Sequence, residues 1–273
     1  MNAVDSHAHV FCDKSYAFSP ETLYHPHPSQ MGTAKQFRAV LDFHGFTHGL
    51  LVGAGPYGAD NRCMLSAIAE SNGRFKGVAL VKPEISDKDL AALKDQGVVG
   101  IRVNLMGHGL RELTEPGADK LLARIKEMDL FLQVHLEKAN LAEAAPILRK
   151  AGVRCMFDHF GRPDPSRGLD QPGFRELLEF GRAGDHVVKI SGPFRSSLAG
   201  YPYTDVDPYV AACIEAYTLD RCVWGSDWPF VRLDARFDYG PPSICIQRWL
   251  PNEADRRKVL WDTPARLFGF QPS

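Results

Sequence analysis

The stretch LFLQVHLEKANLAEAAPILRKAGVRCMFDHF (130–160) holds one complete structural unit. Its apolar run LFLQVHL (130–136) reads as a strand. The amphipathic segment LAEAAPILRKAG (141–152) follows and ends on glycine, as a helix C-terminus should. CMFDHF (155–160) then starts a second strand.

The same alternation runs along the chain. VDSHAHV (4–10), HGLLVG (48–53), FKGVALV (75–81), VVGIRVN (98–104), HVVKIS (186–191) and CVWGSDW (222–228) are six further strand-like runs, making eight. Segments such as TAKQFRAVLDFHG, ADKLLARIKEM and PGFRELLEFGRAG carry helical periodicity between them. Eight strand–helix repeats predict an α/β fold: a single, distorted (β/α)8 TIM barrel over residues 1–273, with its active site at the C-terminal ends of the strands. A doubly wound sheet needs no eighth strand and usually opens with a glycine-rich turn. Here the first run leads instead into a proline- and aromatic-rich loop (11–30) with no GxGxxG.

Composition narrows the partners. The chain has 273 residues, 44% hydrophobic and 24% charged, with net charge −1. That balance predicts no nucleic-acid and no membrane-surface binding. No apolar run approaches the ~20 residues that span a bilayer. Only three residues precede the first strand, so no secretion signal is expected. Six scattered cysteines without a CxxC pair read as reduced thiols, and the expected location is the cytoplasm. A homo-oligomer is left open.

Strand parity locates a site. In VVGIRVN, Ile101, Val103 and Leu105 belong under the helices, so Arg102 and Asn104 point inward. The same alternation puts Asp5, His7 and His9 on the inner face of strand 1, and Gln133 and His135 on that of strand 5. His159 ends strand 6 on the face of Phe157, and Asp227 ends strand 8 opposite Trp224, Ser226 and Trp228. A single inward histidine is ordinarily a satisfied core group. His7, His9, His135, His159 and Asp227 on four strands, all at one end, suit water activation or a divalent ion. An inward Arg102 needs an anion: a substrate carboxylate, or an internal salt bridge to Asp5 or Glu137.

HxH on strand 1, histidines ending strands 5 and 6 and an aspartate ending strand 8 resemble the amidohydrolase superfamily. FSPETLY (18–24), GADN (58–61), GIRVN (100–104), DHFGRPD (158–164), SGPFRSS (191–197) and WGSDWPF (224–230) resemble its 2-pyrone-4,6-dicarboxylate lactonase group, which includes sugar-lactone hydrolases. The resemblance implies a hydrolase that opens a small anionic lactone. Asp227 would take the proton of the hydrolytic water, and His7, His9 and His159 would surround the lactone carbonyl. Arg102, Arg162 and Arg195 would hold carboxylates, with Asn104 and His135 beside them. Asp60 and Asn61 match a loop pair near the site.

Two positions depart from that group: His135 stands where it carries tyrosine, and His108 where it carries a second strand-4 arginine, with Arg111 a candidate substitute. His7, His9, His135 and Asp227 would be the ligands if a metal is bound, zinc foremost. The lactonases themselves resemble a metal-free branch, so one divalent ion and none are both expectations. Arg102 occupies the strand where a second ion's ligand would lie, which argues against a binuclear centre. The alternatives are a metal-dependent decarboxylase of the aminocarboxymuconate/resorcylate type and an inert anion-binding barrel.

Overall fold

The computed structural model describes residues 2–12 and 16–272. Its eight strands are β1 (Val4–Ala8), β2 (His48–Val52), β3 (Phe75–Ala79), β4 (Val98–Asn104), β5 (Phe131–His135), β6 (Cys155–Phe157), β7 (Val187–Lys189) and β8 (Cys222–Val223). All pair in parallel in sequence order. The barrel closes without a regular β8–β1 ladder. The Ser6 N–H donates to the Trp224 carbonyl (2.8 Å), Asp227 N–H to His7 (2.8 Å) and His9 N–H to Trp228 (2.7 Å). Gly225 lies at this seam because a Cβ there would sit 2.4 Å from the His7 nitrogen. No helix among the described residues is long and apolar enough to cross a membrane.

Helices Ala34–His44, Arg62–Ala69, Asp87–Asp95, Ala118–Glu127, Asn140–Ala151, Pro172–Ala183, Asp207–Tyr217 and Gly240–Trp249 form the outer ring. Gly152 ends the Asn140–Ala151 helix in the left-handed region (φ 62°), where glycine has no Cβ penalty. Thr33 and Gln36 form a capping box that satisfies two free N–H groups at the start of Ala34–His44, a device stabilising a helix by about 1 kcal/mol.

The lumen is layered. Val4, Leu50, Val78, Phe131, Met156, Val187 and Val223 make an apolar floor, plugged by Phe268 and Phe270 from the C-terminal segment. Above it lies a buried polar tier of Arg102, Gln133, Asp158 and Lys189. The mouth holds His9, His135, His159 and Asp227.

Three expectations need correction. Asp5 does not face the lumen. The β1–β2 register shifts between Asp5 and Ala8, so Asp5 accepts from the Tyr239 hydroxyl (3.0 Å) in the helix layer while His7 and His9 turn inward. His159 does not share the face of Phe157, which packs outward on Phe180 (5.1 Å); β6 stops at Phe157 and a positive φ at His159 (49°) turns that residue inward. The six cysteines are not all thiols: Cys12 and Cys63 form a disulfide, leaving Cys155, Cys213, Cys222 and Cys245 free and buried. The pair is 51 residues apart and meets because β1 and β2 are neighbours.

Candidate active site

A cavity of about 1020 Å³ opens at the C-terminal ends of the strands, lined by His9, His135, His159, Asp227, Arg102, Arg162 and Arg195 among others. Asp227 and His159 reach it from residues in the left-handed region (φ 63° and 49°). Such conformations cost about 1–3 kcal/mol each and persist where the surroundings fix them. The Arg195 Nε–H donates to Asp227 Oδ2 (2.7 Å) and the Arg195 Nη1–H to the Val231 carbonyl (2.9 Å). Asp227 Oδ1 lies 3.6 Å from Nε2 of both His7 and His9, and Oδ2 lies 3.7 Å from His159 Nε2.

Burial would raise the Asp227 carboxyl. The Arg195 guanidinium and neighbouring imidazoles outweigh it and hold the group well below the usual carboxylate range. Burial lowers His7 well below its ordinary value, with Lys189 adding to the effect. It lowers His159 to about 4 against the pull of Asp227. His135 is likewise lowered well below the usual range, by burial and then by Arg102. At neutral pH Asp227 is therefore an ionised carboxylate beside the neutral imidazoles of His7, His135 and His159.

One backbone carbonyl sets the direction of the hydrogen bonds beneath it. His9 Nδ1 lies 2.8 Å from the Val52 oxygen, which can only accept, so Nδ1 carries the hydrogen. In the tautomer with its hydrogen on Nδ1, His9 presents a lone pair at Nε2, 3.3 Å from His7 Nε2, which donates to it. That leaves His7 Nδ1 to accept from the Lys189 ammonium (3.2 Å). Lys189 also donates to Gln133 Oε1 (2.7 Å) and lies 3.4 Å from Asp158 Oδ1. The Asp158 partner on its other side is Arg102 (3.1 Å), which is therefore the internal salt bridge of Arg102, in place of Asp5 or Glu137. Burial pushes Lys189 down to about 8, with Asp158 opposing.

His7, His9, His135, His159, Arg102, Arg162, Arg195 and Asp227 thus lie together at the mouth or directly below it. Asn104 lines the cavity and accepts from the Gly107 N–H (3.0 Å). Asp60 and Asn61 lie outside the cavity lining. Asp60 pairs with Arg62 (2.6 Å), and buried Asn61 bonds both backbone groups of Leu80, fastening the loop after β2 to the end of β3. His7, His159 and Asp227 have donor atoms within 4.8 Å of one another, and His9 Nε2 lies 3.3 Å from His7 Nε2 and 3.6 Å from Asp227 Oδ1.

Several members were not expected from the sequence. Lys189 shares the inward parity of Val187 and Ser191, a signal present in HVVKIS. Asp158 adjoins His159 in the chain. Tyr24, from the loop after β1, lines the cavity with Arg232 stacked on its ring (5.3 Å) and carries no periodic signal.

Comparison with known proteins places this architecture. The family model described as amidohydrolase matches residues 4–270. The chain belongs to the amidohydrolase family. Among its relatives, this amidohydrolase is 32% identical to a 2-pyrone-4,6-dicarboxylate hydrolase of Comamonas testosteroni, over 97% of this chain and 90% of that one. It is 30% identical to a 4-sulfomuconolactone hydrolase of Hydrogenophaga intermedia, over 97% and 88%. A solved structure of a probable 2-pyrone-4,6-dicarboxylic acid hydrolase from Acinetobacter baumannii, with citric acid bound, superposes with a TM-score of 0.88 at 30% identity, over 99% of this chain and 100% of that one.

Proposed function

We propose that this amidohydrolase opens a carboxylated lactone by adding water to the ring carbonyl. The observation that carries the reading is Asp227: an ionised carboxylate at the cavity mouth, one oxygen held by Arg195 and the other free beside the histidines. Relatives that act on such rings support it. Water lodged on Asp227 Oδ1 loses a proton to it as the oxygen–carbon bond forms. The ring C–O bond then breaks, and Asp227 returns the proton to the leaving ring oxygen. The Ser191 hydroxyl lies 2.9 Å from His159 Nδ1 and fixes the ring, and in the tautomer with its hydrogen on Nε2 His159 stabilises the carbonyl oxygen as it gains charge. His9 and His7 are aligned behind it. Arg102 and Arg162, which line the cavity, receive the substrate carboxylate. Pyrone dicarboxylate, muconolactones and sugar-acid lactones all fall in this class.

The donor set is of the type that holds a divalent ion, but its surroundings do not fit one. The hydrogen-bond direction set by Val52 places a hydrogen on His7 Nε2, leaving no lone pair there. The Arg195 guanidinium and the Lys189 ammonium bring positive charge against two of the three candidate ligands, Asp227 and His7. No step above uses a metal. This also disfavours the decarboxylase alternative, which requires one.

The test is hydrolysis of a panel of carboxylated lactones with and without EDTA. Turnover surviving EDTA, in protein carrying less than about a tenth of an equivalent of metal, is expected. No turnover of any carboxylated lactone would sink the proposal.

The pH profile follows from the same charges. The base works deprotonated and His159 works neutral. Asp227 is held below its usual range and His159 lies at about 4, so both are competent above that value and fail as pH falls through it. The ratio kcat/KM is expected to stay flat from about pH 5 to 7 and to fall only near 4. An inflection near 6.5 would show that a histidine titrates in its ordinary range.

A further inference from the structure

The charges around the cavity are divided between its depth and its rim. Arg102, Arg162 and Arg195 lie deep, near Asp227. Arg195 is committed to Asp227 and Val231, and Arg102 uses one Nη on Asp158. Arg162 and the rest of the Arg102 guanidinium line the cavity beside His135. The Arg102 side chain is 92% buried and lines the cavity, so the part of it that stays accessible meets what enters there. Such a set matches one carboxylate.

The opposite wall, from β3 and the segment after β4, is acidic. Glu84, Glu112 and Glu115 line it, with Lys82 and Arg111 as its cations, while Arg232, from the segment after β8, lines the cavity stacked on the Tyr24 ring (5.3 Å). Glu112 is fixed in place: Oε2 accepts from the Asn104 N–H (2.6 Å) and Oε1 pairs with His108 Nδ1. Arg111 does not replace a deep guanidinium, because its side chain is 76% exposed and its Nε points to Glu115 (3.4 Å). A second substrate carboxylate at this wall would meet three carboxylates and a histidine already bound to one of them, against Lys82 as the single free cation there among the described residues. Hydroxyl groups would find acceptors.

We propose that the substrate lactone carries a single carboxylate, held by Arg102 and Arg162, and that the wall built around the His108–Glu112 pair receives hydroxyl or other neutral polar substituents and turns away a second anion. This rests on the lactone-opening reading and narrows its substrate class. Glu112 is the specificity-determining residue: a fixed negative charge set against the wrong ligand discriminates by repulsion.

The test compares kcat/KM for three rings: 2-pyrone-4,6-dicarboxylate, a muconolactone with one carboxylate, and an aldaric acid monolactone with one carboxylate and free hydroxyls. The aldaric lactone is expected to exceed the pyrone dicarboxylate by about tenfold or more. The double variant H108R/E112Q is expected to shift that ratio at least tenfold toward the dicarboxylate. Binding of rings that cannot open gives a second readout: calorimetric titration with 3-hydroxybenzoate and isophthalate, where the hydroxyl-bearing monoacid is expected to bind about tenfold more tightly. A wild-type preference for the dicarboxylates in turnover or binding overturns the inference and leaves lactone opening intact. An unchanged ratio in a folded H108R/E112Q protein overturns it too. If no ring turns over, the lactone reading fails and the binding pair still decides the charge argument. If the double variant does not fold, the wild-type ratios decide it.

Discussion

Asp227→Asn is expected to lower kcat about a thousandfold, since a positioned general base contributes between about a hundredfold and ten-thousandfold. The amide keeps the shape of the carboxylate but takes no proton from water and returns none to the leaving oxygen. Binding should not weaken. In the wild-type protein Arg195 is engaged with Asp227 Oδ2 at 2.7 Å, and the substitution removes that competing anion. The Kd for an anionic ring should stay level or fall. Steady-state kinetics with calorimetric titration separates the two effects. Turnover within tenfold of wild type would mean that the water is activated elsewhere. A matched loss of binding would mean that Asp227 serves only to hold the site together, which is the inert-barrel alternative in another form.

Asp158→Asn is expected to cost about 3 kcal/mol of folding stability, the scale for removing one partner of a buried charge cluster. Asp158 is fully buried and is the carboxylate between Arg102 and Lys189. Without it two cations share the lumen with neutral Gln133. The sign of the pH response tests the cause. Burial holds folded Lys189 at about 8, below its ordinary 10.5, so its charged form is disfavoured in the folded state. Stability is then gained as pH rises through 8 toward 10.5. In the variant the ammonium is penalised further, so the deficit against wild type should shrink across that window as the proton is lost. Urea denaturation at pH 7 and pH 9.5 measures both quantities. A variant as stable as wild type at pH 7 would show that the buried tier is not held by this carboxylate.

The barrel was readable because its strands obey a period of two and its helices a period of 3.6, both written in local apolar residues. β4 matches its run from Val98 to Asn104 without change. The runs at 155–160 and 222–228 extend past their strands for a physical reason. His159 and Asp227 leave the sheet through positive φ, a backbone state that side-chain identity does not announce. Asp5 was misplaced because a register shift breaks parity inside a five-residue strand. The inward arginine was legible from alternation, but its partner was not. Asp158 directly follows β6, two strands away from β4 in the barrel, and only the folded sheet brings it within reach of Arg102. The tie between His108 and Glu112, four residues apart on the rim, depends on a helical turn that a glycine-rich loop conceals.

The Val52 carbonyl that orients His9 has a consequence for how this site can change. It belongs to the main chain, so every residue substituted at position 52 still presents an acceptor there. Point mutation can delete His9, His7 or Lys189 from the relay, but it cannot reverse the sense in which their hydrogens point. To convert these imidazoles into ligands facing the cavity, a descendant of this protein would have to shift the end of β2 itself. Replacing the acids and cations of the rim is a far smaller step. New substrates should therefore be reached along the rim more readily than new chemistry at the centre.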